Sequence, residues 1–201
     1  MKPHHLKKEQ VAAGKWLSLQ KVTWQDDKGR ERVYDSCDRT TTKPEMKADC
    51  VEIFTFIRSK SSKEQSAILV RQYRPPVDSY MIEFPAGLLD EGESPEEAAV
   101  RELKEETGHT GRVLFVSNPT GPNGGISSER AIVVHVEITV DDEEQVRKPM
   151  QQHLDDGESI QVMVIPMSEL FERLQKYAGE GDLVDAKLWT FAYGWHLSQK
   201  Q

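Results

Sequence analysis

Three carboxylates stand out by their spacing. Glu102, Glu105 and Glu106 occupy positions i, i+3 and i+4 of the stretch RELKEETG. In a helix these positions share one face. Like charges placed this way destabilise an isolated helix by roughly a few tenths of a kcal/mol per pair. A helix that keeps them together therefore needs a cation. Oxygen-only ligands select a hard ion, Mg2+ or Mn2+. Glu102 and Glu106, one turn apart, are the expected principal ligands and act directly in catalysis, with Glu105 as a further ligand. An EExxE pattern alone is more often a solvated acidic face. Here flanking glycines, Arg101 and a helix cap fix its context.

The elements that must hold these groups can be read next. The spacing predicts a helix over 94–107. Ser94 can cap it, Pro95 suits the first helical position, and Glu97 completes a capping box. Gly108 ends it as a left-handed residue, and Val100, Leu103 and Thr107 form its buried face. Upstream, residues 15–24 and 31–41 flank DDKG and read as a β-hairpin. Val51–Ile57 and Ala67–Tyr73 read as a second hairpin with a loose polar loop over Ser59–Ser66. Arg74-Pro75-Pro76 ends its second strand, because proline cannot donate to a ladder. Residues 130–140 and 160–166 read as strands separated by a long polar connection. Two helices follow, Met167–Ala178 and Asp182 to Leu197. Strands between helices indicate helix–sheet–helix layers. The expected organisation is a flexible polar arm over 1–13, in which His4 and His5 are solvated. An N-terminal β segment follows over 14–45, then one main domain over 46–201.

The glutamates belong to a longer pattern: Gly87, five residues, Glu93, seven residues, then Arg101-Glu102-Leu103-x-Glu105-Glu106-x-Gly108. A chance match somewhere in the chain is on the order of one in a million, at about 7% per specified residue type. The pattern resembles the Nudix box of enzymes that cut a nucleoside diphosphate linked to another group. The resemblance implies an α/β (α+β) fold, an α-β-α sandwich with a mixed sheet, here preceded by a small N-terminal antiparallel β segment. It also implies two or three Mg2+ ions (or Mn2+) per site, with the carbonyl of Ala86 as one ligand. Gly87 and Gly92 let the preceding loop bend back, and Arg101 braces the turn by pairing with Glu93. His109 stands where the family often has an apolar residue. It is a packing position with little expected effect on chemistry.

QYRPPVDSYMIEFPAG, residues 72–87, runs unbroken into the box. It resembles the ADP-ribose and ADP-sugar pyrophosphatase branch, as do GKW at 14–16, VYDS at 33–36, RTT at 39–41, DDGE at 155–158 and VDAKLW at 184–189. That branch hydrolyses ADP-ribose to AMP and ribose 5-phosphate. It works as a homodimer in which the N-terminal β segment of one subunit completes the adenine site of the other. Carried over, Trp16 and Tyr34 sandwich the adenine, Asp35 and Arg39 contact the base or its ribose, and Arg74 approaches the phosphates or terminal ribose. Tyr34 replaces the tryptophan of animal relatives with a smaller ring. Leu88 and Gly125, the latter in the Gly-rich loop 121–129, complete the substrate-binding set. The catalytic base must lie outside the box, because a ligated carboxylate is a poor proton acceptor. In the resembling branch it maps onto Glu158, on a loop that Gly157 can hinge. Glu105 and Asp156 are the alternatives.

Composition narrows the remaining classes. A net charge of −8 argues against nucleic acid as the partner. No apolar run reaches the ~18 residues of a membrane span, and the polar N-terminus argues against a secretory signal. Cys37 and Cys50 read as two thiols in a reducing compartment. The expected location is the cytoplasm, with the nucleus as a second site. Two other functions compete: hydrolysis of another nucleoside diphosphate derivative, such as an oxidised nucleoside diphosphate or a dinucleoside polyphosphate, and a non-catalytic ADP-ribose-binding module. The latter would be expected to lose the ligand glutamates.

Overall fold

The computed structural model describes residues 2–42, 45–62 and 64–200. Lys63, in the loop expected over Ser59–Ser66, lies outside them, as do Lys43, Pro44 and the two terminal residues. The chain divides into two compact units, residues 1–50 with 117–132, and 51–116 with 133–201.

The first unit holds a three-stranded antiparallel sheet of β1 (His4–Ala13), β2 (Leu17–Gln25) and β3 (Glu31–Arg39), in that order. β2 and β3 form the hairpin expected about DDKG, with Gln25 opposite Glu31. β1 corrects the reading of residues 1–13 as a flexible arm. This stretch is a strand paired along β2 from His4 opposite Gln25 to Ala13 opposite Ser18. Every β1 residue is exposed, so it carries no buried alternation to read. Backbone hydrogen bonds to β2 place it on the sheet, and Lys8 adds an ion pair to Asp38 of β3.

The second unit is built on a mixed sheet. Its strands are β4 (Cys50–Ser59), β5 (Gln65–Arg74), β6 (Ser79–Glu83), β7 (Ala86–Leu88), β8 (Arg112–Val116), β9 (Ala131–Val140), β10 (Ile160–Pro166) and β11 (Leu183–Val184). The main path runs β11-β6-β5-β4-β9-β8, with β10 on β5 and β7 on β4. Of these pairings, β11 with β6 is parallel, and β5 pairs antiparallel with β6 and with β10. Four helices accompany the strands: α1 (Pro95–Thr107), the single turn α2 (Glu143–Val146), α3 (Leu170–Gly179) and α4 (Ala186–Ser198). Strands β6, β7, β8 and β11, none longer than five residues, are additions to the sequence reading.

β5 explains the layering. Ala67, Ile68, Leu69 and Val70 are all fully buried. Successive strand residues point to opposite faces, so both faces of this strand are covered. Ala67 and Leu69 share one core with Ile82, Phe84, Met163 and Ile165, and with Leu170, Leu174, Leu188 and Ala192 from α3 and α4. Phe54 stacks on Phe84 with ring centroids 4.1 Å apart. α1 packs near β7, β8 and β10 and buries Ala98, Ala99 and Leu103. Val100 is only half-buried, and Glu106 takes its place on the buried side.

Candidate active site

α1 is set by its ends. The Ser94 hydroxyl accepts from Glu97 N–H at 3.3 Å, and the Glu97 carboxylate accepts from Ser94 N–H at 3.0 Å. Pro95 follows the cap, and Gly108 closes the helix at φ +75°. Gly108 serves two purposes, because a Cβ there would also lie 2.6 Å from the Gln151 carbonyl oxygen.

β7 lies against α1 so closely that a Cβ on Gly87 would overlap the Glu102 carboxylate. Gly87 is therefore a matter of space. Its φ is not in the left-handed region, whereas that of Gly92 is. Beside it, Ala86 N–H donates to Glu106 Oε2 at 3.1 Å. Arg101 spans the same junction. Its guanidinium takes both oxygens of Glu93, donates to the Leu88 carbonyl at 3.0 Å, and reaches Glu102 Oε1 at 2.8 Å and Glu105 Oε2 at 3.1 Å. One cation thus joins the start of the loop, the turn before the helix and two of the three carboxylates.

Glu106 is only 5% exposed. Burial pushes its carboxyl up to about 8, against the Ala86 hydrogen bond, and the charges of Glu102 and Glu158 add to the rise. Burial likewise raises Glu102, opposed by Arg101 and reinforced by Glu105 and Glu158. The Glu158 carboxylate, which accepts from Asp155 N–H at 3.0 Å in its own turn, is a lesser contributor to the rise of both glutamates. Arg74 also acts on Glu106, in the opposite sense, and is itself held by Glu83 through an Nε–Oε2 contact of 2.8 Å.

This crowding tests whether a cation fits. Among the described residues no three carboxylate, imidazole or thiolate side chains form a closed cage, and Glu102 and Glu105 each turn one oxygen to Arg101. The donor set nevertheless suits a hard divalent ion. It is all oxygen and partly desolvated, and burial first, then the neighbouring carboxylates, raise both Glu102 and Glu106, a penalty on their charged forms that a bound cation would relieve. Ala86 lies in β7, where its N–H meets the Glu106 carboxylate of α1.

The residues expected to bind the base lie in the first unit. Trp16 and Tyr34 are 56% and 51% exposed. They do not face each other within one chain. Tyr34 pairs with Val22, whereas the Trp16 carbonyl accepts from the N–H of Thr40, six residues beyond Tyr34 and just past the end of β3. At about 3.4 Å per residue this separates them by roughly 20 Å, against about 4.5–7 Å for stacked rings. Tyr34 Oη donates to the Gly125 carbonyl at 2.9 Å. Asp35 is exposed, and Arg39 pairs with Glu129.

The profile of the NUDIX domain matches residues 50–186. The chain belongs to the NUDIX domain family. Among its Nudix relatives is the ADP-sugar pyrophosphatase of Mus musculus, 40% identical over 188 residues, 92% of this chain and 83% of that protein. The ADP-ribose pyrophosphatase of Saccharomyces cerevisiae is 36% identical over 180 residues, 90% of this chain and 77% of that protein. A crystal structure of an ADP compounds hydrolase superposes with a TM-score of 0.65 over 99% of this chain and 96% of that one. At 23% identity that match speaks for the Nudix fold.

Two residues of the site escaped the sequence reading. Gln152 and His153 hydrogen-bond to the main chain of α1. Their partners are backbone carbonyls distant in sequence, so no side-chain pattern announces them.

Proposed function

We propose that the protein hydrolyses ADP-ribose, and related ADP-sugars, to AMP and ribose 5-phosphate (or the matching sugar phosphate). The observation that carries this reading is the packing of α1 against β7, where the Ala86 N–H meets Glu106, Gly87 leaves room for Glu102, and Arg101 spans Glu93, Glu102 and Glu105. It is supported by relatives named for ADP-sugar and ADP-ribose pyrophosphatase activity that cover most of the chain.

In this reading Glu102, Glu105, Glu106 and the Ala86 carbonyl hold Mg2+, two or three ions per site, with Mn2+ as a substitute. The bound metal would offset the charge of the diphosphate and act as a Lewis acid on its oxygens. The chain's own groups do the rest. Arg74, steadied by Glu83, presents its guanidinium to the phosphates. Arg101 stays with Glu93 and keeps the loop in place for Leu88 to border the substrate. Glu158 takes the proton of the attacking water. The new P–O bond forms at one phosphorus, the anhydride P–O bond breaks, and the two phosphate monoesters leave.

The adenine site is proposed to be shared in a homodimer, Trp16 from one subunit and Tyr34 from the other. The separation of these two rings in one chain supports this. Asp35 and Arg39 would contact the base or its ribose, and Gly125 would line the terminal-ribose pocket. No role for nucleic acid or membrane is invoked, and the proposed location is the cytoplasm, with the nucleus as a second site.

The assignment of Glu158 is tested by Glu158→Gln. Its kcat on ADP-ribose should fall about 10²- to 10⁴-fold, the span for general-base removal, with KM nearly unchanged. Raising the pH should partly restore the rate, because hydroxide needs no base. A pH–rate profile overlaying the parent's would move the role to Glu105 or Asp156.

A further inference from the structure

The last turn of any α-helix leaves four carbonyls without partners inside the helix. In α1 all four are satisfied. Two are closed locally, Lys104 O by Gly108 N–H at 2.9 Å and Thr107 O by His109 Nδ1 at 3.0 Å. The other two belong to Glu105 and Glu106 themselves, and their donors come from the loop after α2. His153 N–H donates to Glu105 O at 2.8 Å, and Gln152 Nε2 donates to Glu106 O at 2.5 Å across 46 residues of sequence.

The Gln152 amide does more than cap. The same Nε2 donates to the carbonyl of Ile160, the first residue of β10, at 3.0 Å. An amide nitrogen has two hydrogens in a planar fork, and both are engaged here. The entry and exit of the loop are thereby tied to each other and to the end of α1. Between them lie residues 153–159, with Gly157 at φ +90° and Glu158 two residues before the anchored Ile160. The loop is pinned at both ends, and inside it the Glu158 carboxylate accepts from Asp155 N–H at 3.0 Å while Glu158 N–H donates to Asp155 O at 3.1 Å. The Glu158 carboxylate is consequently suspended from the helix that bears Glu102 and Glu106.

We infer that Gln152 is a positioning residue for the reaction. Its bridge between Glu106 O and Ile160 O fixes the distance of Glu158 from the glutamates of α1. The inference rests on the reading of Glu158 as the base, and the test separates the two. Leucine matches the length of glutamine but cannot donate. Glutamate replaces the donor with an acceptor facing two carbonyls.

Gln152→Leu and Gln152→Glu should each lower kcat on ADP-ribose about 10- to 100-fold, as small misplacements of catalytic groups do, with KM within about twofold. Alkaline pH should restore part of the loss, as for Glu158→Gln. In a double-mutant cycle, Gln152→Leu should cost nothing further once Glu158 is Gln. Hydrogen exchange at the His153 amide should accelerate in both Gln152 variants, whatever their activity. If Glu158→Gln impairs turnover and Gln152→Leu does not, the positioning role is wrong and the base assignment stands. A Gln152→Leu effect of equal size in both backgrounds would mark a stability effect and overturn the proposal. A Glu158→Gln enzyme with parental turnover would instead remove the base reading itself.

Discussion

Arg101 holds Glu93 by two parallel hydrogen bonds, Nε to Oε1 and Nη2 to Oε2, each 2.8 Å long. The pair keeps Glu93 well below the usual carboxylate range, chiefly through the Arg101 hydrogen bond. It also explains why the arginine of the box is no metal ligand. Its fork is fully engaged in holding the loop, the turn and the helix in one geometry.

Arg101→Lys should therefore be far from conservative. A lysine cannot satisfy Glu93 bidentately and reach the Leu88 carbonyl as well. The expected loss is about 1.5–3 kcal/mol of unfolding free energy, the range for hydrogen bonds to charged groups. Urea denaturation would measure it, and an unchanged midpoint with an unchanged slope would contradict the bracing role.

His109 gives a pH dependence of known sign. It is buried, its Nδ1 hydrogen-bonds to Thr107 O, and its Nε2 has no partner. Burial lowers its proton affinity in the folded state, while the unfolded chain titrates near ~6.5. Below that pH the unfolded state binds more protons, so stability is present above it and declines as the pH falls toward the folded value. His109→Leu should remove this decline and stabilise the protein by about 1 kcal/mol or more, by eliminating an unsatisfied buried nitrogen. Melting curves at pH 5 and pH 8 would show it, as a gain larger at pH 5. A gain equal at both values would mean that only packing had changed.

Trp16→Ala should raise KM for ADP-ribose roughly 10- to 100-fold, the size of a lost base–aromatic stack, with a smaller change in kcat. The parent protein should be a dimer by light scattering at assay concentrations. A fully active monomer would contradict a clamp formed by rings that lie far apart in one chain.

Much of this was legible from residue types, and the remainder had a common cause. The ends of α1 were readable because Ser94, Pro95, Glu97 and Gly108 act through their own side chains or backbone angles. The Arg101–Glu93 pair followed from the box resemblance, and the β2–β3 hairpin from its Asp/Gly turn. β1 was not readable, because HHLKKEQVAA joins its sheet with no buried face. β7 and β8 are too short for a period to appear. Gln152 and His153 were invisible because they bind carbonyls, which every residue carries. As a residue type Gly87 suggests conformational freedom, but the fold needs it for the room it leaves to Glu102.

The central claim is metal-dependent hydrolysis of ADP-ribose by the glutamates of α1. Its most direct test is anion-exchange chromatography of ADP-ribose incubated with the protein and Mg2+, alongside a chelator control and Glu106→Gln. The account predicts AMP and ribose 5-phosphate in equal amounts, no products with the chelator, and kcat at least ~10²-fold lower for Glu106→Gln, with folding intact because glutamine has the same size and its amide oxygen can still accept from Ala86 N–H. Binding of intact ADP-ribose without turnover would contradict the account and mark a binding module. Near-parental turnover by Glu106→Gln at saturating Mg2+ would equally contradict it.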